Sequence, residues 1–268
     1  MLGEDLVRAA ALANHEVARR DRAETDVTDA GAVLEAVRSE QPDAVVNCAA
    51  YTNVDGAESE RDAALRVNAD GARNVAKAAA EARASVIYPS TDYVFDGTKG
   101  QAYVESDDPA PQSSYGSSKL AGEIETAAAT PNHFIVRTSW LFGASGKNFV
   151  RTMLELGRRE DQVAVVRDQT GCPTWTAHLA EGMVRLLSTR AYGLHHMASG
   201  GSCTWYDFAM AIFEDAGVNC RVMSTTTAEI GRPAPRPEHS VLATQWEDAI
   251  YLPDWRDGLR GYLAEAAE

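Results

Sequence analysis

The stretch ASVIYPSTDYVF, residues 84–95, decides how the rest of the chain is read. Its first half is a short continuous apolar run, the composition of a strand buried on both faces. Its second half carries two hydroxyls, a carboxylate and a phenol on Ser90, Thr91, Asp92 and Tyr93. Open parallel sheets bind ligands beyond the carboxyl ends of their strands, so polar chemistry at this point marks a strand that delivers side chains to a site.

The same texture recurs outward from this stretch. DAVVNCAA (43–50), HFIVRTSWLF (133–142), VAVVRD (163–168) and GLHHMAS (193–199) are further apolar runs of strand length. Helical stretches separate them: an Ala-rich segment over 58–82, then 114–129, 148–159 and 176–188. This alternation predicts an α/β fold with a doubly wound parallel sheet, Rossmann-like. Beyond about residue 200 come a helix near 205–216, the turn-rich GRPAPRPEHSVL (231–242) and a terminal amphipathic helix, WRDGLRGYLAEAAE (255–268). The expected division is a dinucleotide-binding domain from 1–143 with parts of 144–200, and a smaller C-terminal substrate-binding lobe interleaved over about 144–268.

Bulk properties narrow the function. The 268 residues suit one large domain with an appendage. With 45% hydrophobic and 24% charged residues, and no run near the roughly 18 apolar residues of a bilayer span, no membrane partner is expected. MLGEDLVRAA has two early acids and no basic lead-in, unlike a secretory signal, so a cytoplasmic location is expected. Cys48, Cys172, Cys203 and Cys220 lack C-x-x-C spacing, which suggests neither zinc nor a disulfide framework. A net charge of −14 opposes binding to a nucleic acid polymer.

The catalytic signal is SSYGSSKLAGE (113–123), which sets Tyr115 and Lys119 one helical turn apart on a common face. A phenol is a poor acid, with a pKa of about 10. A nearby ammonium lowers that pKa and makes the phenol useful for moving a proton at a carbonyl oxygen. Thr91 and Ser90 lie 24 and 25 residues upstream at a strand end, placed to hold that oxygen from the other side. Cys48 has no His placed beside it by sequence, and His195 and His196 alternate across a strand, so neither set is read as catalytic.

VVNCAAYTNVDGAE, VNADGARNVAKAA, YPSTDYVFDG, YGSSKLAGE, VRTSWLFG, DQTGCPT, RPAPRPEHSVL and LPDWRDGLRGYL together resemble the extended short-chain dehydrogenase/reductases. Within them they are most similar to the branch that reduces dTDP-linked 4-keto-6-deoxy sugars. The resemblance implies hydride transfer from NADPH or NADH to the C4 keto group of dTDP-4-dehydro-L-rhamnose, with Tyr115 as proton donor. It implies that Lys119 lowers the Tyr115 pKa and binds the nicotinamide ribose, and that Thr91 hydrogen-bonds the sugar. Asp92 and Trp140 are implied substrate contacts, and Arg232 and Arg236 implied grips on the nucleotide diphosphate. On the cofactor side it implies Ala49, Ala50 and Tyr51 passing close by, Asn68 supporting the site, and Asp26 and Val27 beside the adenine. Asp21 would meet the ribose hydroxyls and Arg22 a 2′-phosphate, leaving NAD versus NADP open. A homodimer is also implied, with Mg²⁺ as a candidate interface ion but no metal ligands to assign. Two other readings share the motifs: a nucleotide-sugar epimerase or dehydratase, and a non-catalytic binding or regulatory subunit.

At its start the chain departs from that pattern. The resemblance expects a strand and a Gly-x-x-Gly-x-x-Gly turn; Gly3 matches the third glycine and EDLVRAAALA (4–13) the helix after it. The first strand and two glycines are not in the sequence, and HEVARRDRAETDVTD (15–29) resembles the second strand and its exit. The expectation is a start placed downstream of the natural one, and weak or no binding of nicotinamide cofactor, because the turn aims backbone N–H groups at the pyrophosphate.

Overall fold

The computed structural model describes residues 1–266. In chain order, α1 (Leu2–Leu12) and α2 (Ala30–Glu40) precede β1 (Ala44–Val46), and α3 (Arg61–Leu65) runs through a π-helical turn (Arg66–Asp70) into α4 (Gly71–Glu81). Next come β2 (Ser85–Thr91), α5 (Ser114–Ala129), β3 (His133–Thr138), β4 (Leu141–Phe142) and α6 (Phe149–Gly157). They are followed by β5 (Gln162–Val166), β6 (Thr170–Gly171), β7 (Thr174–Trp175), α7 (Thr176–Leu187), β8 (Gly193–His196) and β9 (Ser199–Gly200). The described chain closes with β10 (Cys203–Thr204), α8 (Trp205–Asp215), β11 (Arg221–Thr225), α9 (Thr227–Ile230), β12 (Leu252–Asp254) and α10 (Trp255–Glu265).

The main sheet has the order β1-β2-β3-β8, parallel throughout. Its strands are nearly continuously apolar because helices cover both faces. On one face Val33 and Val37 of α2 and Val75 and Ala76 of α4 pack with Val86. On the other, Leu2 and Leu6 of α1 and Leu179 and Met183 of α7 pack with Ile87, Phe134 and Val136. Val86 and Ile87 are neighbours in β2 and serve opposite faces, as the period of two requires. A second core joins Phe142, Val150, Leu154, Phe208, Ile212 and Trp255, all from the later half of the chain.

Two strand expectations change in the structure. VAVVRD forms β5, but it pairs with β11 in a separate two-stranded sheet, while GLHH returns to the main sheet beside β3. HEVARRDRAETDVTD forms no strand: residues 15–29 are coil and turns. Its turns are held locally, with the Asp21 carboxylate accepting from Ala23 N at 2.8 Å and that of Asp26 from Thr28 N at 2.9 Å. β1 is an edge strand with β2 as its neighbour, and the segment does not pair with its open side.

Candidate active site

Because the sheet is parallel, β1, β2 and β3 all end on the same edge, and the polar residues of three loops meet there. β2 stops at Thr91, whose hydroxyl accepts from Tyr93 N at 3.2 Å and so starts a single 3-10 turn over Asp92–Val94. Helix α5 begins one residue after Ser113, whose hydroxyl caps Gly116 N at 3.1 Å. That cap sets Tyr115 in the first turn. Gly116 is required there, since a Cβ would lie 2.2 Å from the Tyr93 carbonyl oxygen. The Tyr93 and Tyr115 rings then meet edge to face at 5.5 Å.

Thr91, Tyr115 and Lys119 come together as the spacing predicts. The Thr91 hydroxyl, whose own hydrogen bonds run to Asp92 Oδ1 and from Tyr93 N, is the influence that favours the ionised form of the Tyr115 phenol. Burial outweighs it and pushes that phenol up to about 12, so Tyr115 holds its proton at neutral pH. Lys119 follows one turn further along α5. Its ammonium donates to the Pro89 carbonyl at 2.7 Å and sits 3.9 Å from the centre of the Tyr88 ring, and burial pulls its pKa down to about 7. In this arrangement the ammonium is engaged by a backbone carbonyl and a ring face.

Asn68, fully buried in the π-helical turn, braces the loop after β1. Its side-chain oxygen accepts from Tyr51 N at 2.8 Å, and its amide donates to Tyr51 O at 3.1 Å and to Ser118 Oγ at 2.9 Å. The extra residue of a π turn is a common device at functional sites, and here it turns Asn68 toward both β1 and α5.

Asp92, expected as a substrate contact, is 1% exposed, accepting from Ser240 Oγ at 2.6 Å and from Thr91 Oγ1 at 3.1 Å. Burial raises its carboxyl to about 6. Arg232 and Arg236 both reach Asp55: the mostly buried Arg236 donates through two nitrogens, each at 3.0 Å, and the exposed Arg232 through one at 3.4 Å. Trp140 has a left-handed backbone, φ 49°, and stacks on Trp205 at 3.6 Å with the rings 5° from parallel. A Cβ on Gly171 would lie 2.5 Å from the Trp140 indole, so that glycine makes the pair possible.

A cleft of about 600 Å³ lies between the coil segment and β1. It gathers Asp21, Arg22, Asp26, Val27, Ala49, Ala50 and Tyr51, seven of the expected cofactor-side residues. Gly3 stands apart on α1, against Cys48. The residues at the two ends of the cleft suit the adenosine and the nicotinamide of a dinucleotide, whereas no glycine lines the cleft between them to meet the pyrophosphate, the element on which the expectation of weak cofactor binding rests. Arg22 is 87% exposed with a loose 3.6 Å pairing to Asp26, small side chains follow β1, and Asn47 Nδ2 is buried without a partner. Among the described residues no three His, Cys, Asp or Glu side chains cluster to hold a metal.

Four residues of this region were not singled out in the sequence. Ser240 belongs to a motif whose arginines drew the reading, Trp205 followed an ordinary helix cap, and Asp55 sat within VVNCAAYTNVDGAE. Glu123 closes YGSSKLAGE at the next step of the Tyr115–Lys119 stripe, a signal that could have found it.

A doubly wound sheet with Thr91 at a strand end and Tyr115 and Lys119 on the helix that follows defines the class: a Tyr–Lys oxidoreductase of the short-chain dehydrogenase/reductase kind. The model of the RmlD substrate binding domain family matches residues 1–268, and the chain belongs to that family. Over 266 residues it is 41% identical to the spore coat polysaccharide biosynthesis protein SpsK of Bacillus subtilis (strain 168), covering 98% of this chain and 94% of that one. It is also 41% identical over 276 residues to the dTDP-4-dehydrorhamnose reductase of Mycobacterium tuberculosis (strain ATCC 25618 / H37Rv), covering 99% and 90%. Among solved structures, the dTDP-4-dehydrorhamnose reductase of Bacillus anthracis str. Ames in complex with NADP superposes with a TM-score of 0.96 at 39% identity, over 98% of this chain and 95% of that one. No helix among the described residues is long and apolar enough to cross a membrane.

Proposed function

We propose that this chain reduces the C4 keto group of dTDP-4-dehydro-L-rhamnose to give dTDP-L-rhamnose, using NADPH or NADH. The observation that carries the reading is the Thr91–Tyr115–Lys119 cluster, in which the phenol is held protonated beside a hydroxyl at the end of β2. The bound cofactor supplies a hydride to C4. Tyr115 gives its proton to O4, Thr91 holds that oxygen in line, and the carbonyl becomes a secondary alcohol. Lys119, anchored on Pro89, presents its remaining N–H donors to the ribose beside the nicotinamide.

The main sheet serves as the nucleotide-binding part, and the second core carries the lobe that covers the sugar nucleotide. Trp140, with Trp205 behind it, offers a flat apolar face to the pyranose or the base. Arg236 and Arg232 turn from Asp55 to the diphosphate when the substrate binds, since a guanidinium fork suits phosphate oxygens as well as a carboxylate. Asp21 has one carboxylate oxygen occupied by its own turn, whereas the Arg22 guanidinium is largely exposed. This favours NADPH, whose 2′-phosphate Arg22 would meet. Consumption of NADPH that depends on dTDP-4-dehydro-L-rhamnose tests the reading. Bound cofactor that never turns over, with a dTDP-sugar epimerised instead, would replace it.

A further inference from the structure

Beneath the catalytic pair lies a third member of the same helical stripe. Tyr115, Lys119 and Glu123 stand at successive four-residue steps of α5, on one face. Each faces the end of β2: Tyr115 stands beside Thr91, Lys119 donates to the Pro89 carbonyl at 2.7 Å, and Glu123 accepts from the Ser90 hydroxyl. Glu123 is also gripped by Arg137, whose Nε donates to Oε1 at 2.9 Å and whose second nitrogen donates to Oε2 at 2.7 Å. Ser90 and Arg137 are partners in the β2–β3 ladder, so one carboxylate spans two adjacent strands at the level of the site. All three side chains are nearly sealed: Glu123 is 4% exposed, Arg137 3% and Ser90 5%.

Such a buried pair is a costly way to hold a helix on a sheet, and apolar residues of similar volume often serve as well or better. What apolar residues cannot supply is direction and charge. The carboxylate fixes the rotation of α5 relative to β2 through bidentate geometry. It also lies one turn beneath an ammonium that has no carboxylate of its own, because Lys119 bonds only to a neutral carbonyl.

We propose, on the reading given under Proposed function, that Glu123 is a positioning residue for this reductase: held by Ser90 and Arg137, it aligns Thr91, Tyr115 and Lys119 and supplies the negative charge that offsets the buried ammonium. The groups facing Lys119 support this. Burial draws its pKa down to about 7, and Glu123 is the first among the charges that oppose that fall, ahead of the Cys48 thiol after β1. Tyr115 on α5 and Tyr88 on β2 are phenols that keep their protons, Tyr115 at about 12 and Tyr88 well above the ordinary range. Asp92 lies beyond Thr91 and is held by Ser240, and Arg137 on β3 stands behind Glu123 with Phe95 at 5.0 Å capping its free side.

The test uses the full chain and two readouts. In Glu123→Gln, the pH at which kcat falls as Lys119 loses its proton moves down by about one unit, while KM for the sugar nucleotide changes less than twofold. The NMR titration midpoint of the Lys119 side chain, followed without substrate or cofactor, moves by the same amount. Glu123→Gln leaves a guanidinium buried without its partner, so Glu123→Gln/Arg137→Gln carries the same test with both charges removed; because the cation behind the carboxylate goes with it, the shift keeps its direction and is smaller. Glu123→Asp restores the parent profile. An unchanged midpoint in the folded double variant overturns the inference, since a purely structural brace would alter stability and leave the titration of Lys119 where it was. A parent chain with no sugar-nucleotide reductase activity would sink the functional reading instead, with the titration still deciding the role of Glu123.

Discussion

The junction of β2 with α5 and the segment beside β1 contribute to one site in opposite ways. At the junction every catalytic candidate sits among buried polar partners: Asn68, Ser90, Thr91, Asp92, Ser118, Lys119, Glu123 and Arg137 are each at most 6% exposed. Beside β1, residues 15–29 are largely exposed coil that bonds mainly to itself. Buried polar groups need partners, and most at the junction find them, Arg137 Nη1 and Thr138 Oγ1 excepted, so its geometry is tightly constrained. Exposed groups have water, so the cleft wall is defined by short turns and can move with its ligand. In the proposed reading, chemistry that needs fixed geometry falls where burial enforces it, and the adenosine would be met by the looser wall.

This contrast can be broken at four points. Removing the Asn68 amide should have the largest effect. Asn68→Ala strips Tyr51 of two bonds and Ser118 of one, and denaturant unfolding should show a loss of about 3–4 kcal/mol. A loss under about 1 kcal/mol would mean that the junction is not the rigid unit described.

Asp92 comes next, with a dependence on pH. Its carboxyl titrates at about 6 in the folded chain against an ordinary 3.8, so the folded state holds the proton more tightly. That contribution is complete below about pH 4 and is lost as pH rises through 6. At pH 8 the buried carboxylate therefore costs on the order of 3 kcal/mol. Asp92→Asn should be the more stable protein at pH 8 by an amount approaching this, and the gain should vanish by pH 4. Equal stability at both pH values would show that the Ser240 and Thr91 hydroxyls fully offset the burial.

Smaller effects are expected nearer the surface. Asp55 is 29% exposed and Arg236 11%, so Asp55→Ala should cost about 1 kcal/mol after screening by solvent. The same variant should bind dTDP more tightly, because both guanidiniums are released; weaker binding would show that Asp55 positions them for the diphosphate. Arg22→Ala should leave the Tm unchanged and weaken NADPH roughly tenfold while sparing NADH. A equal loss for both cofactors would remove Arg22 from 2′-phosphate recognition.

How much of this was legible in the sequence follows the same divide. The strands SVIYPST and HFIVRT and helix α5 could be read because burial imposes apolar runs and a clear helical spacing, and the shorter, partly buried AVV and GLHH followed from the alternation of strands and helices. Tyr115, Lys119 and Thr91 were legible for the same reason, since their geometry depends on one helix and the strand before it. The partner of β5 was not, because choosing β11 over the main sheet depends on contacts nearly sixty residues apart. Nor was the capture of Arg236 by Asp55 or of Asp92 by Ser240, across 181 and 148 residues, where a charge or hydroxyl in a loop carries no periodicity to announce its partner. Residues 15–29 were read as a strand from the resemblance alone; their own composition, eight charged residues in fifteen, gives no apolar face to hold a strand on a sheet.

The central claim is that Tyr115 donates the proton at the sugar carbonyl. It is tested most directly by the rate of NADPH consumption with dTDP-4-dehydro-L-rhamnose, comparing the parent chain with Tyr115→Phe. The ring and its packing against Tyr93 survive that change and only the hydroxyl is lost. The account predicts that kcat falls by about a hundredfold or more while the fold and Tm are retained; full activity in Tyr115→Phe would contradict it.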